Sequence, residues 1–249
     1  LRNETADRKA PEKVLAVLAD PIFDTEDARF QAIAGKNKPK KEYIAASAAS
    51  TRSGLDLPRL PFTRREADLI SSYIPEDKRE KLLDFAAAKE AAMSPNLSNF
   101  QFIHFATHGF VNVENPELSG IVLSMIDKTG KEIDGFLRVG DIYNLKLPAE
   151  MIVLSGCRTG LGKEIKGEGL IGLTRGFMYA GAKRVTVSLW DVNDQATSVL
   201  MANFYKEMLG AKKLPPAAGL REAQLSMIKS REWNNPYFWS AFVLQGEPR

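Results

Sequence analysis

An α/β protein with a mainly parallel central sheet is what this sequence predicts, on three observations. Continuous apolar runs rich in β-branched residues recur at 13–20 (KVLAVLAD), 100–106 (FQFIHFA), 151–156 (MIVLSG) and 184–190 (RVTVSLW), as in strands buried on both faces. Segments with apolar residues at helical spacing separate them. Strands alternating with helices pack most simply as parallel strands joined by crossover helices.

Taken in order, residues 13–20 supply the first core strand, closed by Asp20 and Pro21. Residues 1–12 are polar and are expected to form a flexible N-terminal segment, with the domain running over 13–249. Residues 36–56 are basic, rich in small residues and aperiodic, which predicts a long solvated loop. At Thr63 the run T-R-R-E reads as a capping box with Glu66, followed by Ala67, Ile70 and Ile74 on one helical face. Residues 76–93 read as a second, more exposed helix ended by Pro95. Two short strands are expected within 119–138, turning at Asp127-Lys128-Thr129-Gly130. Leu170, Leu173 and Phe177 follow helical spacing up to a C-capping Gly181. Two further helices surround Val199–Met208 and Leu220–Met227, and residues 238–244 form the last strand.

Composition narrows the function. A formal charge of +3 over 249 residues is too small to argue for nucleic acid. One cysteine forms no internal disulfide, so nothing calls for an oxidising compartment and the cytoplasm is the expected location. Two histidines and one cysteine are too few for a zinc site of those ligands alone, and no cofactor is expected. No apolar run approaches the ~20 residues of a membrane span. The chain begins at Leu1 without an initiator Met, which reads as a fragment.

Ligands of open parallel sheets bind beyond the carboxyl ends of the strands. The strand reading puts Asp20, His108, Cys157 and Asp191 at four such ends. A thiol next to an imidazole is a strong nucleophile, because the ring accepts the proton or stabilises the thiolate. Cys157 with His108 therefore suffices for covalent acyl transfer, and the backbone N–H groups of Gly109 and Cys157 are natural oxyanion donors. A lone cysteine is more often a small buried hydrophobe. His104 sits inside the apolar run and reads as a satisfied sheet histidine. Asp191 suits a pocket floor that pairs with a substrate Lys or Arg, whereas Asp194 is equally suited to capping the next helix.

Two motifs are decoys. GCRTGLGK imitates a P-loop, but its glycine spacing is one residue too long and Glu164 stands where Ser or Thr would hold Mg²⁺. Gly172–Gly176 imitates a nucleophile elbow within a helical pattern, and reads as helix packing.

The ordered motifs HFATHGF, NPELSGIVLS, LSGCRTGLGKEIKGEGLIGLTRGFMYAGA, VSLWDVNDQATSVLMANFY and PYFWSAFVLQG together resemble the CHAT domain. This is a caspase-like cysteine peptidase domain found downstream of tetratricopeptide repeats and related to separases, metacaspases and gingipains. The resemblance implies a caspase-like α/β/α sandwich, with His108 and Cys157 as the dyad, no third orienting residue required, and Gly109 in the oxyanion hole. It further implies that Ser188, Leu189 and Trp190 pair with an extended substrate backbone, and that Asp191 and Asp194 favour a basic residue at the cleaved bond; Asp20 joins the expected substrate-binding residues by its strand-end position. The expected partners are a protein or peptide substrate and an upstream repeat domain or regulatory protein that gates activity, with neither nucleic acid nor membrane. Many relatives carry a SACETG-like stretch where this chain has SGCRTG, so Arg158 places a positive charge beside the thiol. The leading expectation is a cysteine endopeptidase. The alternative is a non-catalytic module of the same fold that holds a peptide, and a third is self-processing at loop residues such as Lys163 or Lys166.

Overall fold

Residues 11–34, 57–112, 115–156 and 168–247 are described by the structure, a computed structural model. In chain order the elements are β1 (Lys13–Ala19), α1 (Ala28–Ala34), α2 (Pro61–Ser71), β2 (Arg79–Leu83), α3 (Lys89–Ala92), β3 (Phe100–Ala106), β4 (Gly109–Phe110), β5 (Gly120–Val122), β6 (Phe136–Arg138), α4 (Val139–Tyr143), β7 (Met151–Leu154), α5 (Glu168–Tyr179), β8 (Arg184–Ser188), α6 (Asp194–Leu209), α7 (Pro216–Lys229) and β9 (Phe242–Gly246). The main sheet has the order β2-β1-β3-β7-β8-β9 and is parallel except for β9, which runs antiparallel to β8. A small antiparallel sheet, β4-β5-β6, adjoins it.

Alternation along the strands builds two apolar layers, because successive side chains point to opposite faces. Leu15, Val17, Phe102, Met151 and Val153 pack with Ala67 and Ile70 of α2 and Leu200, Phe204 and Tyr205 of α6. Ala16, Leu18, Ile103, Phe105, Ile152 and Leu154 pack on the other face with Ile142, Leu173 and Phe177. The expected α/β architecture with a mainly parallel sheet is therefore the one found. Gly181 ends α5 as expected, at φ +118, with Gly181 N–H bonded to the Met178 carbonyl and Ala182 N–H to that of Phe177. This is the paired arrangement that satisfies the last carbonyls of a helix.

Three local expectations change. The stretch expected as one exposed helix at 76–93 instead forms a 3₁₀ turn, the edge strand β2 and the single turn α3. Backbone pairing of β2 with β1 outweighs the local propensity of Arg79-Glu80-Lys81, and charged side chains suit an exposed edge. The helix expected to begin after a Thr63 cap begins three residues earlier, at Pro61 after an N-cap at Leu60, where a missing N–H is harmless. Thr63 Oγ1 instead donates to the Leu60 carbonyl (2.7 Å) and accepts from Asp20 N–H (3.2 Å). The last strand lies slightly later than expected, after a 3₁₀ turn at Pro236–Phe238. The expected loop at 36–56 and nearly all of the N-terminal segment fall outside the described residues.

An ion cluster ties the connections together at the carboxyl end of β1. Asp20 is buried and adopts φ +48, a conformation that Asp tolerates better than most residues. Its carboxylate pairs with Arg29 Nη1 (3.0 Å) and accepts from both Nε and Nη2 of Arg59 (2.9 and 2.8 Å) and from Arg64 Nε (2.8 Å). Arg29 and Arg64 also reach Asp84, and Arg29 reaches Asp27. Burial acts to raise the Asp84 carboxyl, but hydrogen bonds and charge from Arg64 and Arg29 outweigh it and hold the group below the usual 3.8. A depressed folded pKa contributes stability that is present above the unfolded value and is lost as pH falls through the folded one. Stability should therefore decline below about pH 3.8, and Asp84→Asn should flatten that acid limb in denaturant titrations run from about pH 6 to 2.5. An unchanged acid slope in the variant would remove Asp84 from the account.

Candidate active site

His108 follows β3 by two residues and is gripped by the small sheet. Thr107 Oγ1 donates to the Val122 carbonyl (2.6 Å), and Val122 N–H donates to that of His108 (2.9 Å). With Gly109 opposite Ile121 and Phe110 opposite Gly120, that bond makes Gly109 a member of a non-hydrogen-bonded pair. Its N–H is thereby directed away from β5. The imidazole is 1% exposed and tilts against the Phe23 ring at 5.3 Å.

His108 Nε2 lies 2.7 Å from the Pro58 carbonyl oxygen. A carbonyl only accepts, so Nε2 carries the proton and Nδ1 holds the lone pair of the neutral ring. Arg59, the next residue, is the one that grips Asp20 through two hydrogen bonds. The ion cluster thus anchors the backbone that orients His108. Sequence reasoning missed this carbonyl, since any residue at 58 would supply one.

The strand β7 ends beside the same place. Ser155 N–H bonds to the Phe105 carbonyl (3.0 Å), and Gly156 packs so closely that a Cβ there would come within 2.3 Å of the Thr107 carbonyl oxygen. Only glycine fits this contact. The residue before Cys157 is consequently packed against the residue before His108. Cys157, with Arg158, Lys163, Lys166 and the P-loop-like segment from Cys157 to Lys163, lies outside the described residues.

Next to His108 is a cavity of about 350 Å³, whose wall includes Glu66, Ser155, Gly156, Asp191, Asp194 and Thr197. Asp191 therefore shares one cavity with His108, as its strand-end position predicts, and Asp194 lines the same cavity. Asp194 does not cap α6: Asn193 does, its side chain accepting from Ala196 N–H at 2.9 Å. Asp194 Oδ2 faces Phe62 N–H instead, at 3.4 Å. The other expected substrate contacts lie elsewhere. Asp20 is engaged by its three arginines and is not among the lining residues. Ser188 is buried at the end of β8 opposite Phe242. Leu189 N–H bonds to the Ala241 carbonyl, and the Trp190 indole N–H to that of Tyr237.

Beneath the cavity is a buried polar network around His104, the satisfied sheet histidine that its place in an apolar run predicts. His104 Nε2 meets Glu66 Oε1 at 2.6 Å and Ser155 Oγ at 3.1 Å, and Nδ1 meets the Tyr205 hydroxyl at 3.2 Å. Burial, and then the Glu66 charge, push the Tyr205 phenol well above its usual range, so it stays a neutral O–H. Glu66 is the residue that sequence reasoning misplaced as a cap. Its spacing carries the signal: it stands four residues before Ile70 and eight before Ile74, on the buried face of α2. Gly172 and Gly176 lie within α5, and a Cβ at 176 would meet Ile142 at 3.3 Å and Val139 at 4.0 Å, as helix packing predicts. Among the described residues, no helix is long and apolar enough to cross a membrane.

Comparison with known proteins agrees with the motif resemblance. Tetratricopeptide repeat protein 28 of Homo sapiens is 28% identical over 216 residues, and its Mus musculus counterpart is 26% identical over 221. Each match covers 75% of this chain but only 8% of the relative's length. The CHAT domain family matches residues 1–247. The chain belongs to the CHAT domain family.

Proposed function

We propose that this CHAT domain is a cysteine endopeptidase that cleaves protein substrates after a basic residue through His108 and Cys157. The observation that carries the reading is the packing of Gly156 on Thr107, since these are the residues that precede Cys157 and His108 in the sequence. In the proposed reaction His108 Nδ1 takes the Cys157 thiol proton, and the sulfur attacks the carbonyl carbon of the scissile peptide bond. The carbonyl electron pair moves to oxygen, which the N–H groups of Gly109 and Cys157 stabilise. Collapse expels the amine, which takes the proton from His108 and leaves a thioester. Water then attacks the thioester with His108 again as base, releasing the acid and the thiol.

Asp191, supported by Asp194, would draw a basic side chain into the cavity. The substrate backbone would extend the sheet beside Ser188, Leu189 and Trp190, on the side where β7 has ended at Leu154. Since Asp20 is committed to its arginines, its part is to hold the Pro58 carbonyl on His108. An upstream repeat region or a regulatory protein would gate access in the cytoplasm, consistent with the tetratricopeptide repeats named in the relatives.

Cys157→Ala should lower cleavage of Lys and Arg reporter peptides by about 10³-fold or more, as loss of a covalent nucleophile does. His108→Asn should do the same while leaving thermal unfolding within a few degrees of the parent. Undiminished turnover in either variant contradicts the dyad. If neither parent nor variants cleave, yet all bind peptide equally, the non-catalytic module is the better description.

A further inference from the structure

Two residues that line the cavity each carry a buried polar atom with no hydrogen-bond partner among the described residues. Glu66 is 1% exposed; its Oε1 is bonded to His104, while Oε2 is buried without a hydrogen-bond partner. Thr197, on α6, is 2% exposed, and its Oγ1 is likewise buried and without a partner. Both residues line the cavity beside His108, one from each of the two helices packed across it. A buried carboxylate oxygen lacking a donor is costly, so its retention calls for a donor that arrives from outside.

We infer that Glu66 and Thr197 form the inner end of a guanidinium site, so that the cavity takes an arginine side chain in preference to lysine. This deepens the proposed function, and it names a specificity residue, Glu66, that motif matching does not supply. The wall carries three carboxylates, from Glu66, Asp191 and Asp194, and no lysine or arginine among the described residues. Pro58, Leu60 and Val192 offer apolar surface to a methylene stem. Asp191 and Asp194 belong to the segment after β8, whereas Glu66 reaches in from α2, where it is fixed by His104. A ligand group that serves both acidic sides and a hydroxyl at once needs several donors in a rigid plane. Guanidinium has five N–H groups in a fork, whereas ammonium is a compact point charge.

The test uses p-aminobenzamidine, an amidinium that shares this planar donor geometry, and benzylamine as the ammonium comparison. Binding to the Cys157→Ala protein is measured by fluorescence and calorimetry. The amidinium should bind at least tenfold more tightly than benzylamine. Glu66→Gln keeps an acceptor for His104 but presents an amide to the ligand, and should weaken amidinium binding about 10- to 100-fold, the worth of one charge-assisted hydrogen bond. Thr197→Val keeps the side-chain shape and should weaken it several-fold. It carries the same test if Glu66→Gln fails to fold.

Equal binding of the two probes, absence of amidinium binding, or full affinity in a folded Glu66→Gln protein overturns the inference. The two readings fail separately. Amidinium binding that depends on Glu66, in a protein whose Cys157 form cleaves no peptide, keeps the site and removes the peptidase. Cleavage after lysine and arginine at an unchanged ratio in Glu66→Gln keeps the peptidase and removes the site.

Discussion

Asp20 binds three guanidiniums that arrive from separate stretches of chain, and the geometry around His108 depends on that pairing. Arg29 brings α1, Arg59 the segment before α2, and Arg64 the helix itself onto the end of β1. Asp84, after β2, closes the cluster from the sheet edge. Asp20 itself is buried and its arginines are partly exposed, so removing the carboxylate, the shared partner, disturbs the cluster more than removing any one arginine. The consequence extends past stability. Arg59 is covalently next to Pro58, whose carbonyl fixes the His108 tautomer, so a structural ion pair sets which ring nitrogen is basic.

A second buried group, Glu66, links the apolar layer to the cavity. One oxygen is committed to His104 in the sheet, and the other has no hydrogen-bond partner among the described residues. The helix that carries Glu66 also begins with Phe62 against Asp194 and turns Thr63 toward Asp20. One helix, α2, therefore contacts the ion cluster, the His104 network and the acidic side of the cavity. Its position is set by Ala67 and Ile70, packed on β1 and α6, so core packing and site geometry are the same constraint.

The sequence was most legible where burial on both faces forces a continuous apolar run. The strands at Lys13, Phe100, Met151 and Arg184 are of that kind, and their ends correctly locate His108 and Asp191 at one cavity. It was least legible where backbone atoms decide. β2 is an edge strand held by main-chain pairing with β1, and its charged residues resemble an exposed helix. The Pro58 carbonyl and the Gly109 N–H leave no mark in side-chain identity. Asp20 shows a different limit: its strand-end position suggested a ligand contact, and only the convergence of three distant arginines reveals its actual partners. Glu66 was legible in principle, because its spacing from Ile70 and Ile74 places it inward, but the T-R-R-E pattern offers a competing local explanation.

The central proposal is that Cys157 acts with His108 on substrates whose basic side chain enters the acidic cavity. Its most direct test is covalent labelling with peptidyl acyloxymethyl ketones that differ only in the residue next to the ketone, read by intact mass and peptide mapping. The account predicts that the arginine ketone alkylates Cys157, that the leucine and glutamate ketones do so far more slowly, and that His108→Asn abolishes the reaction. Labelling of Cys157 at equal rates by all three, or no labelling of Cys157 by any of them, would contradict it.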